Sequence, residues 1–375
     1  MNERITIQKW EELAMETGRI SGLQMAIMMH SAILATVILI VPAIIAKEAK
    51  QDLWIVPITA SIAGFLALFV IIQLHKLFPK KTFIQYSEDI IGRIPAKILS
   101  FVYILFFLQT TSGMFRQYAE FVSGNFLLKT PSLVIFASMA FVCAFAVRGG
   151  IEVIGRTAQL FIPTVTLLFF LLLIFLIPEM DVENMYPVFE NGIKPIMKAS
   201  STPAAWFSEF MLISFMLPYL KEREEGMKWG IISIVSVIIL MVVTNITSLF
   251  VFGETTVKLT YPIMSAARYI SIGDFFEHLE AVIMAIWVLS VFIKISVFYY
   301  VLVLATAQWL PLSNYKPLVL PFGFLLTVMA AWMPSLPEQS DYISKVIPFK
   351  LPLFYLVIPM ILLVIAKIRR LSGNH

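Results

Sequence analysis

Ten stretches of this chain run for about 20 residues each with almost no charge, the length an α-helix needs to cross a hydrocarbon layer roughly 30 Å thick. They cover 22–46, 54–75, 98–119, 131–148, 157–178, 199–220, 229–252, 279–306, 317–334 and 350–368. Because the runs are long and unbroken rather than alternating ten-residue segments, they predict membrane helices and not a β-barrel. The remaining composition agrees: of 375 residues, 59% are hydrophobic and 14% charged, with a mean hydropathy of +0.87. The expectation is an all-α integral membrane protein of about ten transmembrane helices. One transmembrane domain is expected over 21–370, between tails at 1–20 and 371–375.

With the N-terminus inside, 17 Lys and Arg fall in the tails and inner loops, nine in outer loops, and two, Arg116 and Lys294, within helices. The excess of inner cations predicts that both termini are cytoplasmic. It also accounts for the net charge of +4, which is then no argument for nucleic acid. The first twenty residues hold four Glu and three Lys or Arg and lack an apolar core with a cleavage site. They read as a cytoplasmic leader, solvated or amphipathic, rather than a signal peptide.

The single cysteine, Cys143, lies in the fourth apolar run and reads as a small buried hydrophobe. The four histidines are scattered, and no zincin, Walker, C-x-x-C or nucleophile-elbow pattern occurs. No metal, cofactor or enzymatic chemistry is expected. Two outer loops, 178–198 and 253–278, are long enough to carry short helices of their own, and "IMSAARYIS" at 263–271 is helix-compatible.

Polar groups gather at one depth. "ILAT" at 33–36 marks the middle of the first run, Gln109 opens "QTTSG" at the middle of the third, and Glu209 is the only ionisable residue of the sixth. Lys294 sits midway along "AIWVLSVFIKISVFYYVLV", 285–303, in the eighth. A charge at that depth costs about 2.5 to 3.5 kcal/mol even on lenient scales, so it faces a protein interior or a wet cavity. The simplest resolution is that Lys294 and Glu209 face one another or share a polar cavity, either as a packing device or as part of a ligand site. Arg116 and Glu120, at i and i+4 near the outer surface, read either as a structural or gating pair or as a merely solvated one. His30 reads as an interhelical hydrogen bond or a proton relay. Trp206, Tyr299 and Tyr300 are pocket or packing aromatics. Pro203 and Pro218 bracket the sixth run, the pattern of a broken helix with exposed backbone dipoles.

Five pieces carry a family resemblance: "ISGLQ" at 20–24 with Pro42 ending the first run, "RQYAEF" at 116–121, "YPVFENGIKPI" at 186–196, "SEFMLISFMLPYLKE" at 208–222 and "WVLSVFIKISVFYY" at 287–300. In these, their order and the total length, the chain resembles the B-subunit family of spore germinant receptors. These endospore germination permeases belong to the amino acid-polyamine-organocation transporter superfamily. The resemblance implies an inverted repeat of five plus five helices, with interrupted helices 1 and 6 packing against helices 3 and 8 around a central site. The implied ligand-binding residues are Ala35, Thr36, Phe106, Gln109, Trp206, Glu209, Lys294 and Phe298. One departure stands out: "HSAILATVILIVP", at 30–42, lacks the glycine-rich break common in permease-like members.

Members of this family bind a small-molecule germinant such as an amino acid in the spore inner membrane. They work with a receptor A subunit and a lipoprotein C subunit. The leading expectation is therefore a ligand-sensing receptor subunit embedded in membrane lipid. The alternative is a proton- or ion-coupled amino-acid transporter, in which Lys294 or Glu209 carries a proton or Lys294 replaces a sodium ion.

Overall fold

Each long helix begins where the sequence can satisfy its first free N–H groups. In the computed structural model, which describes residues 15–269, 280–334 and 342–370, "ISGLQ" is such a start. Ser21 caps Gly22–Ala49 (α1) in a reciprocal capping box: its hydroxyl accepts from Gln24 N, and the Gln24 side chain accepts from Ser21 N. Gly22 is required by close approach, since a Cβ there would lie 1.9 Å from the Trp229 indole. The chain continues through Val56–Leu77 (α2), Phe83–Ile91 (α3), Arg93–Asn125 (α4), Ser132–Gly149 (α5) and Ile151–Leu176 (α6). After the first long loop come Ile193–Phe207 (α7), Gly226–Phe252 (α8) and Pro262–Tyr269 (α9). The last are Glu280–Trp309 (α10), Lys316–Trp332 (α11), Ile347–Pro352 (α12) and Ile358–Ile368 (α13). The far N-terminal leader, His278, His375 and the tail at 371–375 lie outside the described residues.

Among the described residues, eight helices are long and apolar enough to span a membrane, rather than ten. The two missing from that count have physical causes. The ninth expected span, α11, is 17 residues long and holds Pro321. The sixth is broken: α7 gives way at Ser208 to a 3-10 stretch, Ser208–Phe215, and then to a turn, Leu217–Tyr219, around Pro218. Backbone this irregular is tolerated at membrane depth only inside protein, and every residue of 208–215 is buried. The expected interruption of helix 1 does not occur. α1 is one continuous helix, because 30–42 has no glycine to release the backbone and Pro42 removes only a single N–H.

Packing repeats itself across the chain. α1 packs on α8 as α7 packs on α2, and α4 packs on α11 as α10 packs on α5. Each partner is five spans on from its equivalent, and an odd number of crossings inverts it in the membrane. α1 is central, with 72% of its most apolar stretch buried, against 33% for α6. Peripheral side chains such as Leu160, Leu167, Phe141 and Phe324 form an exposed apolar belt, as a lipid-facing surface requires. Short 3-10 turns, Ile177–Glu179 and Val182–Met185, and helix α9 occupy the two long loops.

The segment before α1 crosses from one helix end to another. Ile20 bridges to the 219–221 backbone through two 3.0 Å hydrogen bonds, and Arg19 Nη1 donates to Pro218 O at 3.1 Å. Glu16 Oε2 accepts from Ile151 N, the first residue of α6, and from the Tyr315 hydroxyl, each at 3.1 Å; its Oε1 accepts from Gly18 N at 2.7 Å. Gly150 makes room for this with a φ of +89°. Burial, with the Glu16 carboxylate beside it, holds the Tyr315 hydroxyl well above the usual phenol range, so it remains a donor. Glu16→Ala is expected to lower stability by about 1 kcal/mol through the lost cap. It should also speed proteolytic nicking near residue 18, whereas Glu16→Gln keeps an acceptor and loses less.

Candidate functional site

The break in the sixth span places its one acid against the one lysine of the eighth. Glu209 is the second residue of the 3-10 stretch, and its Oε2 lies 3.0 Å from Lys294 Nζ on α10. Both side chains are excluded from solvent, at 1% and 0% exposure. A buried pair of this kind holds only with further hydrogen bonds to its charged ends. Thr36 Oγ1 on α1 supplies one, accepting from Lys294 Nζ at 3.1 Å and from Trp206 Nε1 on α7 at 3.0 Å. One hydroxyl thus joins α1, α7 and α10. The Lys294 ammonium also lies 5.4 Å from the Phe298 ring centre one turn along α10.

Above this cluster is a cavity of about 170 Å³. Thr36, Trp206, Glu209 and Lys294 form its floor; Gln109, Thr110, Gly113, Met114 and Gln117 of α4 form one wall. Tyr342, Ile343, Ile347, Lys350 and Leu351 form the other, with Met333 and Pro334. A volume below the usual range for drug-sized ligands suits a small solute. Thr36→Val, which removes one acceptor from two buried donors, is expected to cost about 1–3 kcal/mol. Thr36→Ser should restore it, both read from the thermal unfolding midpoint of the purified protein in detergent.

Of the eight residues expected at the site, Thr36, Gln109, Trp206, Glu209 and Lys294 line this cavity. Three stand behind it. The Ala35 carbonyl is taken by Trp287 Nε1 at 2.5 Å, so it offers no free backbone to a ligand. Phe106 is 3% exposed and stacks on Phe354 at 4.2 Å, and Phe298 is fully buried beneath Lys294. Tyr299 and Tyr300 lie elsewhere: Tyr299 donates to the Val319 carbonyl, and Tyr300 packs edge-on against Tyr315. His30 makes an interhelical hydrogen bond, its Nδ1 lying 2.7 Å from Ser236 Oγ. Arg116 and Glu120 pair at 2.6 Å outside the cavity. Cys143 is fully buried.

Lys350 is the residue that hydropathy reading misses, because at the very start of the tenth run it is one of the nine cations counted as outer-loop. A π-helical turn, Leu353–Val357, follows Pro352, and its Phe354 stacks on Phe106 of α4. A usable sequence signal exists on α4. Gln109, Gly113 and Gln117 recur every four residues and so form one polar stripe.

Residues 19–340 match the sequence profile described as "Spore germination protein". The chain belongs to the spore germination protein family. Among relatives of this family it is 27% identical to spore germination protein KB of Bacillus subtilis, over 94% of this chain and 95% of that one. It is 24% identical to YndE of the same organism, over 94% and 98%. It is 25% identical to spore germination protein A2, also of Bacillus subtilis, over 88% and 90%. Two solved transporters share the fold. MhsT in complex with L-phenylalanine superposes with a TM-score of 0.62 at 14% identity, over 92% of this chain and 88% of that one. A Na+-coupled sialic acid symporter gives 0.65 at 12% identity, over 92% and 79%. This spore germination protein is thus an integral membrane protein of the LeuT transporter fold.

Proposed function

We propose that this chain is the membrane subunit of a germinant receptor, and that its cavity binds a small nutrient, an amino acid, to trigger germination. The observation that carries the reading is the shared floor: Thr36, Trp206, Glu209 and Lys294 come from three elements, one of them broken beside the cavity. A solute seated there touches α1, α4, α10 and both sides of the α7 break. It therefore binds with different affinity when the 3-10 stretch moves, which is the only way a ligand shifts a conformational equilibrium. The apolar wall of Met114, Ile343, Ile347 and Leu351 suits the side chain of such a nutrient.

The proposed setting is the inner membrane of a spore, with both termini cytoplasmic, an A subunit and a lipoprotein C subunit as partners, and no enzymatic step. Relatives named as spore germination proteins A2, B2 and KB support assembly into such receptors. A proton- or ion-coupled amino-acid transporter is the second reading, and it rests on the likeness of fold. Deleting this chain in its own organism is expected to abolish the loss of spore refractility triggered by one nutrient, while other triggers still act. Germination unchanged with every single amino acid would overturn the assignment.

A further inference from the structure

The charges on the cavity floor cancel, since Glu209 and Lys294 form an ion pair. Lys350, on the cavity wall, has no such partner among the described residues. Its Nζ donates to Gln109 Oε1 at 2.5 Å and to the Tyr342 hydroxyl at 3.0 Å, both neutral acceptors. It lies 5.3 Å from the Phe106 ring centre and 5.7 Å from that of Tyr342. Among the described residues no carboxylate comes within ion-pair distance of it. An ammonium has three donors, and the two neutral bonds leave one for a further acceptor. Two aromatic faces and a glutamine hold the group in place, and none of these contacts neutralises its charge.

The cavity lining, as described, thus carries one net positive charge opposite a neutral, tightly bonded floor. A sugar or an amide would leave that charge unpaired, and a polyamine would be repelled by it. A carboxylate accepts from the free donor and cancels the charge, in a short charge-assisted hydrogen bond. We infer that Lys350 anchors the carboxylate of the ligand, so that the site selects small solutes with a free carboxylate and an apolar remainder. The inference rests on the reading of this cavity as the ligand site, and it separates the roles of the two lysines: Lys294 maintains the floor, and Lys350 contacts the ligand.

Two measurements test it. In the first, Gln117→Cys in a Cys143→Ser background is modified with a sulfonate-bearing and with a trimethylammonium-bearing methanethiosulfonate. Relative to its rate with a free thiol in solution, the anionic reagent is expected to gain roughly tenfold over the cationic one, and Lys350→Gln to erase that gain. No gain with Lys350 present would overturn the anion site. In the second, the unfolding midpoint is followed with each of the twenty L-amino acids and with their carboxamides. At least one apolar amino acid should stabilise the protein while its amide does not. Lys350→Gln should lose the stabilisation and Lys350→Arg keep most of it. Equal stabilisation by acid and amide, or its survival in Lys350→Gln, would overturn the inference and leave the amino-acid reading standing. Stabilisation by no amino acid, with the reagent preference intact, would overturn the amino-acid reading but support an anion anchor.

Discussion

Lys294→Met or Glu209→Gln, made singly, is expected to cost about 3–5 kcal/mol, because each leaves its partner's polar or charged group buried without a mate. The double change should recover most of that loss, since it removes both charges from a site that is 0–1% exposed. The coupling is read as a double-mutant cycle on unfolding midpoints, with nutrient-triggered germination as the second readout. Strictly additive losses would sink the pairing. Germination should not recover with stability if the polar floor also sets the ligand affinity.

The second large effect is expected at Trp287. Its indole is 5% exposed, lies 4.0 Å from the Phe121 ring centre and 5.8 Å from that of Tyr118, and donates to the Ala35 carbonyl at 2.5 Å. It therefore fixes α1 against α10 one residue before Thr36. Trp287→Ala removes these contacts and the indole's bond to a carbonyl that then keeps only its helical donor, a loss of about 3–5 kcal/mol on the scale of large-to-small core changes. Lipid does not supply the missing dispersion, because the site faces protein. Trp287→Phe keeps most of the packing and should lose only about 1 kcal/mol. Equal losses for the two variants would show that the hydrogen bond to Ala35, and not packing, holds α1.

The parts of this fold that energetics forces were legible in the sequence. A lone acid and a lone lysine at the middle of two apolar runs had to find each other, and Glu209 and Lys294 do. Two prolines in the sixth run marked its break. The continuity of α1 was also written in its residues, which hold no glycine over 30–42; only the family pattern pointed to a break. Lys350 was not legible. Whether a lysine at the end of a span points to water or into a cavity depends on the π-helical turn after Pro352 and on the packing of Phe354 against Phe106. Neither leaves a periodic trace. The same holds for Ala35, whose carbonyl is claimed by a residue 252 positions away.

The central claim is that this cavity senses a nutrient without moving it across the membrane. The direct measurement is retention of a labelled mixture of amino acids by proteoliposomes holding the purified protein, counted per protein molecule. The account predicts retention near one per protein, lost in Lys294→Met. Retention well above one, growing with time and vesicle volume, would contradict it and make the chain a transporter.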